Sequence, residues 1–298
     1  MIDKLNKYGE VLENVSLKKY NTYRIGGIAK YIVIPNDVES LQELIKFLNA
    51  NQIKYMILGN GSNVIFSDKT YDGAIIKLDK LNNVEIDGLQ VTAEAGVMLP
   101  KLVQTCVNNN LQGLEWASGI PGTVGGSIVG NAGAYKSEIS DFLINVTVID
   151  KNGNIKTLKA NEIDFQYRHS SLKDKLKDLV VISAVFGLKP GNKEESLKVM
   201  EDRRTRRVES QPLEYPSAGS IFRNPEGDFA GRIIECDVKL KGKTIGGAKV
   251  SEKHANFIIN YNNASSQDVR DLIDLIHSKV LENNNIDLIV EPEFVNWE

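Results

Sequence analysis

The chain of 298 residues is 42% hydrophobic, which is typical of a globular protein with two or three domains. Its 36 Lys and Arg residues against 39 Asp and Glu residues give a net charge of -3, which excludes the positive field of a nucleic-acid-binding or membrane-surface protein. Two cysteines, Cys106 and Cys236, and three scattered histidines exclude a disulfide framework and a zinc centre, and we expect both thiols to be buried in helices. The charged N-terminus lacks the apolar segment of a secretion signal, so we expect a cytoplasmic protein.

Residues 30–78 alternate between strand and helix patterns. Asp37 is the expected N-cap of a helix over 38–51, whose apolar positions recur at helical spacing: Leu41, Leu44, Ile45 and Leu48. Strands are predicted at 31–34, 55–58, 64–66 and 74–78. A polar turn, GNGSN at 59–63, follows the second of these strands, where open α/β sheets bind ligands.

The remainder of the chain is mostly strand-like up to residue 190 and mixed after it. Strands are predicted at 84–86, 91–95, 144–150, 155–158 and 179–188, with a helix at 99–110 and a hairpin turn at Asn152-Gly153. A polar helix is predicted at 192–207, followed by helices near 229–236 and 266–283 and strands near 245–250, 257–259 and 288–290.

Six glycines fall within the fifteen residues 119–133, the richest glycine segment of the chain. The segment fits neither G-x-G-x-x-G nor the P-loop pattern. Glycine lets the backbone approach a ligand closely, so the segment can present N–H groups to a diphosphate; a surface Ω-loop is the alternative. Together with the turn at 59–63, it predicts two backbone clamps for one extended ligand of the size of FAD.

Four further places carry side chains suited to chemistry, each with a structural alternative. Arg168 offers a planar fork for a carboxylate or phosphate, or forms a surface salt bridge. Ser220 follows a glycine but lacks the nucleophile-elbow pattern, which leaves a proton-donor role or a plain turn. Glu291 and Glu293 are two acids near the chain end, and a cluster of arginines lies at the end of the polar helix: Arg203, Arg204, Arg206 and Arg207.

The order of these motifs along the chain resembles the UDP-N-acetylenolpyruvoylglucosamine reductase family. The motifs are NTYRIGG at 21–27, GNGSN at 59–63, GIPGTVGG at 119–126, NAGAY at 131–135, YRxS at 167–170, GSxFxNP at 219–225, HAN at 254–256 and PE at 292–293. They cover about residues 15–295, and their co-occurrence is highly specific.

The resemblance implies an α+β fold in which a two-subdomain, FAD-binding module of the vanillyl-alcohol-oxidase (PCMH) type precedes a C-terminal α+β substrate-binding domain. The corresponding boundaries are 1–78, 79–195 and 196–298. FAD and NADPH are the implied cofactors. The implied FAD-binding residues are Tyr23, Gly59, Asn60, Gly61, Ser62, Asn63, Gly119, Ile120, Pro121, Gly122, Thr123, Gly125, Gly126, Asn131, Gly133 and Ile182.

The activity that the resemblance implies is reduction of an enolpyruvyl UDP-sugar to UDP-N-acetylmuramate in peptidoglycan synthesis. Hydride addition to the β-carbon puts negative charge on the α-carbon, which Arg168 and Glu293 are expected to stabilise, while Ser220 donates the proton. Glu293 is preferred to Glu291 because it directly precedes an apolar residue, as the glutamate of the family does. Asn224 and His254 match substrate-binding positions, and which of the clustered arginines contacts phosphate stays open.

The short stretch from Arg168 to Val180 lacks the tyrosine-bearing insertion of one branch of the family, so the chain resembles the branch without it. The groups that bind uridine are therefore unassigned. We expect a monomer that binds neither nucleic acid nor membranes. Two alternatives stay open: a different FAD oxidoreductase of the same fold that oxidises an alcohol or a sugar, and a non-enzymatic flavin- or nucleotide-binding module.

Overall fold

The computed structural model describes all residues, Met1–Glu298. Its helices are α1 (Ile2–Leu5), α2 (Val38–Ala50), α3 (Leu99–Asn108), α4 (Val124–Val129), α5 (Lys193–Ser210), α6 (Ala230–Arg232) and α7 (Ser266–Asn284). Its strands are β1 (Gly9–Ser16), β2 (Ile28–Pro35), β3 (Tyr55–Ile57), β4 (Val64–Phe66), β5 (Tyr71–Ile76), β6 (Val84–Asp87), β7 (Gln90–Glu94), β8 (Leu111–Gln112), β9 (Gly133–Ala134), β10 (Ser137–Glu138), β11 (Leu143–Ile149), β12 (Ile155–Lys159), β13 (Phe165–Gln166), β14 (His169–Ser170), β15 (Val180–Gly187), β16 (Lys189–Pro190), β17 (Thr244–Ile245), β18 (Ala248–Val250), β19 (Ile258–Asn260) and β20 (Glu293–Val295).

The chain divides into two compact units, each assembled from separate segments. The first unit comprises Met1–Glu13, Tyr31–Asn60 and Asp72–Thr205, and the second comprises Asn14–Lys30, Gly61–Tyr71 and Arg206–Glu298. The three-domain division expected from the sequence stays a prediction. Two of the segments of the second unit, Asn14–Lys30 and Gly61–Tyr71, come from the first quarter of the chain. No local pattern of apolar residues predicts that they belong to it.

Two sheets form the framework of the first unit. One has the strand order β1–β2–β5–β3, with β3 parallel to β5, and the other has the order β12–β11–β15–β7–β6, in which all neighbours are antiparallel. The predicted Asn152-Gly153 turn joins β11 to β12, and Gly153 takes the positive φ of 79° that such turns need.

The predicted amphipathic helix over 38–51 is confirmed as α2. The Asp37 carboxylate accepts a hydrogen bond from Ser40 N at 2.8 Å, so Asp37 is the expected N-cap. The four apolar positions at helical spacing are its buried residues, and they join the core of the first unit: Leu41, Leu44, Ile45 and Leu48.

The second unit has its own core around α7 and the small antiparallel sheet β17–β18–β19. Ser265 and Asp268 form a capping box that fixes the start of α7. The apolar face of this helix is buried through Val269, Leu272 and Ile276. A parallel pair, β20 with β4, joins the end of the chain to residues 64–66.

The α+β class is confirmed, whereas some local predictions are wrong. Strand β1 was not predicted, and residues 288–290 form no strand beyond an isolated bridge between Val290 and Phe222. The helix near 229–236 is a single α-turn, α6, that continues as a π-helical turn over Ile233–Asp237. This turn exposes Cys236, so only Cys106 is a buried thiol. None of the helices has the length and apolar character needed to cross a membrane.

Candidate functional site

The polar turn and the glycine-rich segment lie against each other in the first unit. Asn60 Nδ2 donates a hydrogen bond to Pro121 O at 2.7 Å. A Cβ added to Gly59 would lie 2.6 Å from Thr123 Oγ1, so only glycine permits this approach. The two predicted backbone clamps are therefore adjacent here.

Backbone hydrogen bonds fix the glycine-rich segment to the framework beneath it. Val124 N donates to Val97 O at 2.8 Å, and Gly125 N donates to Ala95 O at 2.9 Å. Thr123 caps α4 through a 3.3 Å hydrogen bond from Gly126 N. These N–H groups serve the fold, as does that of Ile120, which donates to Ala117 O at 3.0 Å. The backbone N–H groups of Gly119, Gly122 and Thr123 are the parts of this clamp that remain for a ligand.

Lys77 supports the same turn, although the sequence analysis did not single it out. Its ammonium donates to Gly59 O at 2.9 Å and lies 3.2 Å from Asp79 Oδ1. Only 11% of the Lys77 side chain is exposed, which makes this cation an integral part of the clamp. The feature of the sequence that could have indicated this role is a lysine directly after the apolar end of β5.

The other half of the polar turn belongs to the second unit. Gly61 has a φ of +65°, and a Cβ there would lie 2.3 Å from Tyr20 O, so this position requires glycine. Asn63 Nδ2 donates to Glu291 O at 3.4 Å, and Asn63 O accepts from Glu293 N at 3.0 Å. Ser62 between them is half-buried. The turn thus adjoins the strand that begins at Glu293.

Arg168 lies at the tip of the β13–β14 hairpin in the first unit. Its Nη2 donates to Gly133 O at 2.5 Å, and its guanidinium stacks 4.9 Å from the centroid of the Tyr167 ring. The backbone of Arg168 has a φ of +59°, which is uncommon for a residue other than glycine. The side chain therefore has a defined orientation.

Ser220 and Glu293 are connected by backbone pairing within the second unit. Ile221 O accepts a hydrogen bond from Glu291 N at 2.8 Å, while Phe222 and Val290 form an antiparallel bridge. Ser220 immediately precedes the paired stretch and Glu293 follows it by two residues. The structure therefore brings the segments that carry the predicted proton donor and the predicted acid side by side.

Asn256 fixes this stretch, a role that the sequence analysis missed. Its amide accepts from Phe222 N at 2.9 Å and donates to Phe222 O at 2.8 Å, and the residue is 3% exposed. Asn256 N donates to His254 Nδ1 at 3.2 Å. The HAN motif marks Asn256 in the sequence. Motif spacing alone, however, does not distinguish a side chain that hydrogen-bonds a backbone segment far along the chain from one that binds a ligand.

His254 and Asn224 are the predicted substrate-binding residues of the second unit. The His254 ring is tilted against Phe257, with centroids 4.9 Å apart. Burial lowers the pKa of His254, because it disfavours the charged imidazolium, and the acceptor role of Nδ1 places the remaining proton on Nε2. Asn224 is exposed, and its Oδ1 accepts from Ala230 N at 3.1 Å.

The structure gives several predicted FAD-binding side chains other surroundings. Tyr23 has no exposed surface, and its hydroxyl donates to Ile258 O at 2.6 Å, so it is a core residue of the second unit and its side chain is not available to a ligand. Asn131 likewise has no exposed surface. Ile182 in β15 is 5% exposed, and its carbonyl accepts from Ala95 N.

The clustered arginines lie inside α5, whose last turn contains only Arg207. Arg203 stacks on the ring of Tyr135 at 4.9 Å, Arg204 lies 3.8 Å from Glu201, and Arg207 Nε donates to Gln211 Oε1 at 2.9 Å.

Comparison with known proteins defines the class first. A family model described as an FAD binding domain matches residues 29–159, which include Gly59, Asn60 and the whole glycine-rich segment. The protein is therefore a flavoprotein with an FAD-binding domain. A second family model, described as UDP-N-acetylenolpyruvoylglucosamine reductase, C-terminal domain, matches residues 211–295.

Relatives over the full length of the chain identify the family. The UDP-N-acetylenolpyruvoylglucosamine reductase of Caldanaerobacter subterraneus subsp. tengcongensis is 44% identical over 99% of this chain and 98% of its own length. The enzyme of the same name from Lactobacillus acidophilus is 41% identical over the same shares. This chain belongs to the UDP-N-acetylenolpyruvoylglucosamine reductase family, whose members are oxidoreductases.

Solved structures agree on the fold. The crystal structure of UDP-N-acetylenolpyruvylglucosamine reductase from Thermus caldophilus superposes with a TM-score of 0.81 over 96% of this chain and 98% of that one, at 32% identity. A glucose dehydrogenase, Phl p 4.0202, matches 63% of this chain with a TM-score of 0.50 at 17% identity, which shows a shared fold alone. The expected FAD-binding module with a C-terminal domain is confirmed, and family membership does not support either alternative function.

Proposed function

We propose that this protein is an NADPH-dependent flavoenzyme that reduces the enolpyruvyl group of UDP-N-acetylglucosamine-enolpyruvate to UDP-N-acetylmuramate in peptidoglycan synthesis. The observation that carries the proposal is the match of residues 211–295 to the C-terminal domain specific to this family, because these residues include Ser220, Asn224, His254 and Glu293. The proposal includes a cytoplasmic monomer that binds neither nucleic acid nor membranes.

The residues of the first unit fit FAD. Gly59 leaves no room for a Cβ beside Thr123, so the turn packs directly against the glycine-rich segment, and Asn60 fixes the turn against Pro121. Backbone N–H groups in such turns can bind the diphosphate, and Lys77 adds a positive charge behind them. FAD held by these residues would supply the redox chemistry, the transfer of a hydride from NADPH to the β-carbon of the enolpyruvyl group.

Arg168 and Glu293 act on the negative charge that this addition creates. The guanidinium of Arg168 binds the substrate carboxylate, into which the charge of the α-carbon is delocalised. Glu293 completes the stabilisation with a hydrogen bond. Both groups matter more in the transition state than in the bound substrate, and such groups raise kcat.

Ser220 supplies the proton that completes the reaction. A serine hydroxyl is a weak acid, so it protonates only a carbanion-like centre that is held in contact with it. Pairing of residues 221–223 with 289–291 fixes the backbone directly after Ser220. His254 and Asn224 bind the polar groups of the substrate, with His254 as a neutral hydrogen-bond donor through Nε2.

Stopped-flow absorbance of the flavin tests this function in two steps. We expect NADPH to bleach the flavin of the holoenzyme, and the enolpyruvyl UDP-sugar to restore its colour within the turnover time. Under anaerobic conditions, the amount of UDP-N-acetylmuramate formed, measured by mass spectrometry, should equal the amount of flavin that is reoxidised. A flavin that NADPH reduces but the UDP-sugar does not reoxidise would exclude the proposed substrate.

A further inference from the structure

The hairpin that presents Arg168 is attached to the second half of the glycine-rich segment by three side chains. Ser170 Oγ donates to Val129 O at 2.7 Å, and Asn131 Nδ2 donates to Gln166 O at 2.9 Å. Arg168 Nη2 itself donates to Gly133 O. The three attachment points alternate along residues 129–133, which we call the anchor segment.

Two of these side chains are completely buried. Neither Asn131 nor Ser170 has any exposed surface, and Asn131 Oδ1 also accepts from Ser140 N at 3.3 Å. Buried polar side chains in folded proteins are almost always hydrogen-bonded, and these two direct their hydrogen bonds to the hairpin and its support. Their surroundings leave them no surface with which to touch FAD or substrate.

Gly133 is required where the guanidinium approaches the anchor segment. A Cβ at this position would lie 2.9 Å from Arg168 Nη1 and 2.6 Å from Ser137 O. The hairpin tip is also strained, because Arg168 has a φ of +59°, and such backbone persists only where the surrounding structure fixes it. The anchor segment supplies that fixation on both sides of Arg168.

We propose that Asn131, Gly133 and Ser170 are positioning residues for Arg168, and that the two completely buried side chains, Asn131 and Ser170, do not bind the cofactor. A guanidinium is planar and has five donors, so fixing one of them against Gly133 O sets the plane in which the others meet a carboxylate. The glycine-rich segment then has two functions: 119–126 lies against Gly59 and Asn60, and 129–133 orients the arginine. This inference rests on the proposed role of Arg168.

The test compares Ser170→Ala with Ser171→Ala in the holoenzyme. Ser171 is the adjacent buried serine, and its Oγ accepts from Asp164 N, away from the anchor segment. We expect Ser170→Ala to retain FAD and to be reduced by NADPH within twofold of the wild-type rate. Reoxidation by the enolpyruvyl UDP-sugar should slow by about 10- to 100-fold, since small displacements of a catalytic group have effects of that size. Ser171→Ala should leave both rates within twofold.

Gly133→Ala gives a second, independent perturbation of the same guanidinium, and it carries the test if Ser170→Ala does not fold. We expect the same selective loss of reoxidation. Equal slowing of both half-reactions, or loss of FAD, in these variants would overturn the positioning role in favour of a general structural one.

Arg168→Ala separates this inference from the proposed function. If that variant slows reoxidation while Ser170→Ala and Gly133→Ala do not, the positioning role is wrong and the role of Arg168 stands. If Arg168→Ala reoxidises at the wild-type rate, the role of Arg168 itself fails.

Discussion

Ser220 is the residue whose proposed chemistry depends most on its surroundings. No neighbouring residue in the sequence is suited to activate its hydroxyl. The structure instead fixes the adjoining backbone, through the pairing of Ile221 with Glu291 and the hydrogen bonds of Asn256 to Phe222. A proton donor as weak as a serine can contribute only when it is held against the carbon that it protonates.

Ser220→Ala should separate the two half-reactions. We expect flavin reduction by NADPH at the wild-type rate, and substrate-dependent reoxidation slower by about 10²- to 10⁴-fold, the usual contribution of a general acid. Stopped-flow absorbance measures both rates. Ser278→Ala is the control, because the Ser278 hydroxyl is bonded to its own helix at Asp274 O. Reoxidation at an unchanged rate in Ser220→Ala would remove the serine from the mechanism.

His254 makes the stability of the protein depend on pH. Burial lowers its pKa below the ordinary 6.5, with Lys241 acting in the same direction and Glu235 in the opposite one. As the pH falls below 6.5, the unfolded chain binds a proton that the folded chain does not, so the free energy of unfolding decreases until the folded pKa is reached.

His254→Gln should remove this part of the pH dependence. We expect the wild type to lose more stability than the variant between about pH 7.5 and pH 5.5, as measured by urea unfolding at each pH. Carboxylates titrate in both proteins and cancel in the comparison. Parallel losses in the two proteins would show that His254 titrates alike in the folded and unfolded states.

At the scale of elements, β5 contributes to the cofactor clamp through the residue that follows it. Lys77 directly follows Ile76, the last residue of β5, and its ammonium donates a hydrogen bond to the carbonyl oxygen of Gly59. Hydrogen bonds from Lys77 and Asn60 thus join the turn to β5 and to the glycine-rich segment, and Thr123 packs closely against Gly59.

Lys77→Met should weaken FAD binding without preventing folding. The substitution leaves Gly59 O without this partner and removes a cation near the clamp, which we expect to raise the Kd of FAD about tenfold, a loss typical of one buried hydrogen bond. Quenching of FAD fluorescence on titration with apoprotein measures the Kd. Lys80→Met is the matched control, because exposed Lys80 bonds only Asn36. An FAD affinity equal to that of the control would show that Lys77 serves the fold alone.

The secondary elements also show where sequence patterns succeed. The helices α2, α3 and α7 begin at their predicted residues and end within two residues of the prediction, because apolar periodicity and caps are local signals. Residues 288–290 form no regular strand although they are apolar, because their pairing with 221–223 is limited to an isolated bridge. The regular strand pairing at this end of the chain is between β20 and β4.

At the scale of the whole molecule, the FAD-binding domain makes stability depend on the cofactor. FAD binds the folded chain only, so free FAD at 100 times its Kd should raise the free energy of unfolding by about 2.7 kcal/mol. Urea unfolding of the apoprotein with and without FAD measures this increase, and adenosine is the control ligand because it lacks the flavin and the diphosphate. A urea midpoint of unfolding that does not change when FAD is added would contradict binding of FAD to the folded chain.

The class of fold, the long helices and the family could be predicted from local patterns, because they depend on apolar periodicity, on helix caps and on the order of short motifs. Packing between distant segments sets which polar side chains are enclosed by the protein and which stay accessible. The motifs that contain Tyr23 and Asn131 suggest ligand binding. Both side chains are nevertheless completely buried, and they donate hydrogen bonds to backbone carbonyls 235 and 35 residues away. Spacing along a chain records the residue type that a position needs, whereas a hydrogen-bond partner is set by which distant segments pack together.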